Sequence, residues 1–85
     1  MGIRITFNSF RDLRMKVSSA GSAKGELVIG AIAFARAGAD QPKHVVNSMI
    51  MFAKSLPKNV RFDTSEGEAI STLKRFWEDI NDRKL

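Results

Sequence analysis

The sequence has no cysteine and no tyrosine, and it has a single histidine, His44. The lack of cysteine excludes a disulfide scaffold and a zinc site with thiolate ligands. Ser48, four residues after His44, is a poor metal ligand, so the histidine has no helical ligand partner. Few groups remain that could attack a substrate or transfer protons. We therefore expect no enzyme, no catalytic residue, no metal site and no cofactor.

Long apolar runs are also missing. The longest, Leu27 to Ala35, has nine residues, whereas a membrane-spanning helix needs about twenty. The start "MGIRITF" lacks the apolar stretch of a secretory signal. The composition, 44% apolar and 27% charged over 85 residues, is close to the globular average. The expectation is one small domain, residues 1–85, located in the cytoplasm and not associated with a membrane.

Positive charge dominates most of the chain. Residues 1–62 contain ten Lys or Arg and three Asp or Glu, a net charge of +7, and residues 63–85 contain four and six, a net charge of −2. A basic body of this kind indicates a polyanionic partner or an acidic protein surface. Solubility alone is the competing explanation of the charge.

Apolar and polar residues alternate twice near the amino end. Ile3, Ile5 and Phe7 form the first series, and Leu13, Met15 and Val17 form the second. A period of two is typical of half-buried strands. With a turn between them, the two series predict an antiparallel β-hairpin.

The second series has a helical alternative. Ser9 and Asp12 could cap a short helix, in which Phe10, Leu13 and Val17 would share one face and Met15 would lie off it. More residues of this segment fit the alternating strand pattern than fit one helical face, so we favour the strand.

The middle of the chain begins with a loop. Residues 18–26, "SSAGSAKGE", combine glycines and serines. Residues 26–37 are ambiguous, because their alanines suit a buried helix whereas Val28, Ile32 and Phe34 could form a third strand; of the two we favour the helix. The loop resembles a phosphate-binding loop only faintly and has the wrong spacing.

Two helices follow. Pro42 opens a stripe of apolar residues that Pro57 closes. Residues 59–62 suit a short connector or an edge strand, and Ser65 with Glu68 forms a capping box for the last helix. The predicted fold is α+β, with an N-terminal antiparallel β-hairpin, or a three-stranded meander, packed against two or three α-helices.

The first functional hypothesis is nucleic-acid binding. If the apolar residues of the hairpin face inward, its polar residues form one positive outer face that could enter the major groove and contact phosphates or base edges. A merely solvated outer face is the competing interpretation. The predicted binding residues are Arg4, Thr6, Asn8, Arg11, Arg14 and Lys16.

The alternative hypothesis is a protein-interaction module, such as an inhibitor, adaptor or assembly factor, that docks on a larger acidic partner. Methionine-rich faces adapt to partners, and "MIMF" at residues 49–52 is such a stretch. Phe76 and Trp77 could serve as anchors. The competing interpretation places both stripes in the core.

A partial resemblance supports a third possibility. "IRITFN", "SFRDLRMKVSSAG" and "SAKGELVIGAIAF" resemble the ribbon-helix-helix repressors. That resemblance implies a homodimer in which Arg4, Thr6 and Asn8 face DNA from a ribbon shared with the twin subunit. It covers roughly the first half of the chain, and residues 40–85 do not belong to the pattern.

Overall fold

The computed structural model describes residues 2–20 and 25–83. Residues 21–24 of the predicted loop lie outside this part. The described chain contains three short strands and four α-helices in an α+β arrangement. In chain order the elements are β1 (Ile3–Ile5), α1 (Phe10–Ser19), β2 (Leu27–Ile29), α2 (Ala31–Ala39), α3 (Lys43–Lys54), β3 (Val60–Phe62) and α4 (Glu66–Arg83).

The three strands form one parallel sheet in the order β1-β2-β3. Ile3 pairs with Leu27, which in turn pairs with Val60. Parallel strands need crossover connections, and right-handed crossovers that advance in one direction put their helices on the same face of the sheet. One core cluster accordingly joins that face to all four helices. Its members include Leu13, Val17, Ile29, Phe34, Val46, Met49, Val60, Phe62 and Leu73.

The predicted antiparallel hairpin, and the meander, are wrong. Residues 10–19 form a helix, so β1 pairs in parallel with β2 instead. The helical alternative had the right signals: Ser9 caps the helix through a hydrogen bond from Asp12 N, 3.0 Å long. Leu13 and Val17 are buried one turn apart, whereas Met15 is 59% exposed. Burial against other helices therefore decided the structure of this segment.

The ribbon-helix-helix expectation loses its structural basis for the same reason. In that family the first strand pairs with its twin in a second subunit. Here β1 pairs with β2 of its own chain, and Lys16 Nζ donates to the carbonyl of Thr6, 2.7 Å away, just after β1.

The ambiguous segment contains both predicted structures. Leu27–Ile29 is the central strand, and α2 begins one residue after Gly30. The helical part is apolar on nearly all sides because it packs in the middle of the molecule, most extensively against α4. Phe34 and Ala35 have no exposed surface.

The later elements agree with the sequence. α3 starts directly after Pro42 and ends before Pro57. Residues 60–62 form an edge strand. Ser65 Oγ accepts a hydrogen bond from Glu68 N at 3.1 Å, which caps α4. Among residues 2–20 and 25–83, no helix is both long and apolar enough to cross a bilayer.

Candidate functional site

The carboxyl edge of the sheet is where open α/β folds usually bind ligands, because helix N-termini converge there. In this protein the chain itself occupies those N-termini. Asp63 Oδ1 accepts the Ala31 N–H at the start of α2, at 2.9 Å. Ser9 and Ser65 cap α1 and α4. This edge therefore has fewer free N–H groups for an external anion than its topology suggests.

Arg4 crosses the end of β2 to reach Asp63. Its Nη1 lies 3.1 Å from Asp63 Oδ2, and the pair joins the first and last strands of the sheet. Arg4 passes close to Gly30, where a Cβ would lie 2.8 Å from Arg4 Nη1 and would displace the end of that side chain. Arg4, predicted as a DNA contact, is thus engaged in an ion pair within the chain.

The surroundings of Asp63 favour its charged form. The hydrogen bond from Ala31 N–H lowers the pKa of Asp63 below its ordinary value of 3.8, partial burial opposes this effect, and the Arg4 guanidinium lowers the pKa further. A carboxyl with a lowered pKa stabilises the folded state above its unfolded pKa, and this contribution disappears as the pH falls through the folded pKa.

Asp63→Ala should lower the free energy of unfolding by about 1 kcal/mol at pH 7, since it removes a helix cap and a partly exposed ion pair. Below pH 3.8 the difference from the wild type should shrink, because the wild-type carboxyl becomes protonated. Urea denaturation at several pH values measures both effects. Asp82→Ala, which removes an exposed carboxylate of α4, should cause no comparable loss. A difference that persisted unchanged in acid would contradict the electrostatic explanation.

Three arginines line one pocket beside the start of α1. Arg11 and Arg14 come from α1, and Arg36 comes from the last turn of α2. We call this the arginine pocket. It has a volume of about 560 Å³, and its other lining residues include Asn8, Phe10, Asp40, Gln41, Val45 and Ser48.

The arginine pocket keeps an excess of positive charge. None of its arginines forms an ion pair with a residue that the structure describes, and Asp40 is the one carboxylate in the lining. Arg14 lies over the ring of Phe10, with its guanidinium carbon 5.1 Å from the ring centroid. This cation–π contact holds the guanidinium at the pocket while its N–H groups stay available to an anion.

The structure brings together half of the predicted binding residues. Asn8, Arg11 and Arg14 lie at the arginine pocket. Lys16 is engaged elsewhere, 3.2 Å from the Asp12 carboxylate on its own helix. Thr6 contributes its carbonyl to the same lysine. The predicted common outer face therefore does not exist.

No family model, curated protein or solved structure matches this chain. Function must therefore be argued from the site itself. Among residues 2–20 and 25–83, no group of three or more histidines and carboxylates is placed to hold a metal ion. His44 is exposed in the first turn of α3.

The acidic residues of the chain lie mostly apart from the arginine pocket. A depression of about 750 Å³ between the start of α2 and α4 is lined by Asp63, Glu68, Glu78, Asp79 and Asp82, with Arg75. Asp63 pairs with Arg4, but none of these carboxylates lines the arginine pocket. The carboxylates of residues 63–82 therefore do not neutralise the three arginines of the arginine pocket.

The predicted interaction stripes belong largely to the core. Met49 has no exposed surface, and Phe52, Phe76 and Trp77 are half-buried against the core. Trp77 Nε1 donates to the Gln41 carbonyl, 2.7 Å away. Of these stripes, Met51 alone among the described residues is a large apolar side chain that stays mostly exposed.

Arg36 is the site residue that sequence reasoning missed. It lies in a strongly apolar segment, and its place in the same pocket as Arg11 depends on how α2 packs near α1. A lone arginine in such a helix does carry one signal: its charge must reach solvent, so it marks the exposed side of a buried helix.

Proposed function

We propose that this chain is a non-catalytic binding protein that holds an anionic macromolecule at the arginine pocket. The observation that carries the proposal is the convergence of Arg11, Arg14 and Arg36, from two helices, without ion pairs to described residues. Guanidinium groups bind phosphates and carboxylates through paired hydrogen bonds. Both kinds of partner expected from the sequence, nucleic acid and an acidic protein surface, present such groups.

The charge distribution supports this proposal. Like charges repel one another, so three arginines that share a pocket with a single carboxylate, Asp40, cost some stability in the free protein. An anion in the pocket would relieve that repulsion. The formal net charge of +5 would also attract an anionic partner from a distance and speed its association.

Removal of the three arginines should weaken the binding of a polyanion. With a short duplex DNA as probe, we expect the triple variant Arg11→Ala, Arg14→Ala, Arg36→Ala to bind at least tenfold more weakly, because each lost guanidinium removes a charge-assisted contact. The slope of log affinity against log salt should fall by about 2 between roughly 50 and 200 mM salt. Fluorescence anisotropy measures both quantities.

A matched variant separates the site from the overall charge. Lys54→Ala, Lys58→Ala and Lys74→Ala together remove the same formal charge from exposed positions that do not line the pocket. This variant should retain most of the affinity. Equal weakening in both triple variants would mean that net charge alone attracts the DNA, and the proposed site would then be wrong.

A further inference from the structure

The arginine pocket adjoins a second depression at Arg14, and we call the two together the α1–α3 groove. The second depression, of about 580 Å³, lies between α1 and the carboxyl end of α3. Arg14 lines both depressions, so they meet at this residue. We call the second depression the apolar end. Its lining residues include Met15, Val17, Phe52 and Pro57, together with Ser18, Ser19 and Ser55.

One aromatic ring lines each end of the groove, Phe10 at the arginine pocket and Phe52 at the apolar end. Phe10 and Phe52 meet edge to face, with ring centroids 5.4 Å apart and an interplanar angle of 82°. Both rings pack on the core. They are engaged with each other and with the core, which makes them poorly placed to stack on nucleotide bases.

Met15 is the exposed apolar residue of this groove. It lies on α1 one residue beyond Arg14 and is 59% exposed. A flexible thioether adapts to apolar side chains of different shapes, and methionine and arginine are both enriched at protein–protein interfaces. Duplex DNA has its apolar groups on the bases, inside the grooves, whereas a flexible acidic polypeptide can place carboxylates at one end of the groove and apolar side chains at the other.

We infer that the occupant of the α1–α3 groove is an acidic polypeptide segment from another protein. Its carboxylates bind Arg11, Arg14 and Arg36, and its apolar side chains pack on Met15 and Phe52. Charge complementarity at the arginine pocket, together with the exposed Met15 and the half-buried Phe52 at the apolar end, favours this partner over nucleic acid. The inference rests on the proposed anion binding at the arginine pocket, and it names the partner class of that site.

The probe is a short labelled peptide with glutamates in one half and leucine and phenylalanine in the other, made in both orders. A control peptide keeps the glutamates and replaces the apolar residues with serine. We expect the apolar peptide in one order to bind the full chain about tenfold more tightly than the control, because burial of one large apolar side chain corresponds to roughly that factor. A short duplex DNA is the third probe.

Met15→Gln tests the apolar end directly. It keeps the length and the helix propensity of the exposed side chain, so the fold should be retained, which circular dichroism would verify. The variant should lose about tenfold in affinity for the apolar peptide and nothing for the serine peptide or the DNA. Ile32 has a similar exposure and lines the acidic depression between α2 and α4, away from the groove. Ile32→Gln should therefore leave all three affinities unchanged.

The outcomes separate the inference from the proposed function. If the two peptides bind equally and Met15→Gln has no effect, while the triple arginine variant still loses affinity, the inference fails and anion binding stands. Tighter binding of DNA than of either peptide would identify nucleic acid and overturn the inference. Light scattering that shows a dimer sensitive to Met15→Gln would make a second copy the occupant, which also overturns it. Insensitivity of every probe to the arginine variant would reject the proposed function itself.

Discussion

Phe34→Ala should lower the free energy of unfolding by about 3–5 kcal/mol. Phe34 has no exposed surface, and its ring lies 5.0 Å from that of Phe62 in an edge-to-face contact. The substitution removes this contact between α2 and β3 and leaves a cavity where helices and sheet meet. A domain of 85 residues has a total stability of roughly 4–13 kcal/mol, so the loss is a large part of the whole.

Urea denaturation followed by circular dichroism measures this loss. Ile32→Ala is the matched control, because Ile32 lies on the same helix and is 50% exposed; it should cost less than about 1 kcal/mol. If Phe34→Ala fails to fold, Phe34→Leu should still fold with a smaller loss of about 1–2 kcal/mol. Equal effects of Ile32→Ala and Phe34→Ala would contradict the placement of Phe34 at the centre of the core.

Gly38→Ala and Gly67→Ala should change stability in opposite directions, although both glycines are helical. A Cβ at Gly38 would lie 2.5 Å from Leu73 Cδ1 and 2.7 Å from Met49 Sδ, whereas a Cβ at Gly67 would meet nothing within 4 Å. Leu73 and Met49 have no exposed surface, so they cannot move into solvent to make room. Overpacking of a filled core costs about 1–3 kcal/mol.

At Gly38 the higher helix propensity of alanine offsets part of the overpacking cost, whereas at Gly67 it acts without any such cost. Alanine is better than glycine in a helix by about 0.5–1 kcal/mol. We therefore expect Gly38→Ala to destabilise the protein by about 2 kcal/mol after this gain. Gly67→Ala should stabilise it by up to about 1 kcal/mol. Thermal and urea unfolding of the two variants measure the difference, and stabilisation by both would show that α2 and α4 do not approach each other closely at Gly38.

Local signals account for the elements that the sequence predicted correctly. Pro42 and Pro57 restrict the backbone at the two ends of α3, and Ser65 bonds to a residue only three positions away. These interactions act within one helical turn, so they can be recognised without knowledge of the fold. The same holds for β3, which the sequence allowed as a connector or an edge strand: its apolar residues alternate with Arg61 and therefore face one side.

The amino-terminal error has an equally definite cause. Leu13, Met15 and Val17 fit a strand by alternation, while Ser9 and Asp12 fit a helix by capping. Both patterns are local and they conflict over a few residues. Burial of Leu13 and Val17 in the common core resolved the conflict, and that burial depends on α2 and α3, which lie much later in the chain.

The candidate site was likewise predicted only in part. Asn8, Arg11 and Arg14 were predicted as binding residues and lie at the arginine pocket, whereas Arg4 is ion-paired to Asp63, far away in the sequence. The number of charges can be counted from a sequence, but the sequence does not show which arginine pairs with a distant carboxylate, as Arg4 does with Asp63. Arg36 lies at the arginine pocket only because α2 packs near α1.

The sequence by itself determined the α+β class, the helices α3 and α4, and the separation of a basic body from an acidic end, because caps, prolines and charges act over a few residues. The tertiary structure decided that the strands are parallel, that residues 10–19 are helical, and which arginines share a pocket. Those choices depend on contacts between residues far apart in the chain, and no short-range pattern encodes which distant partners will meet.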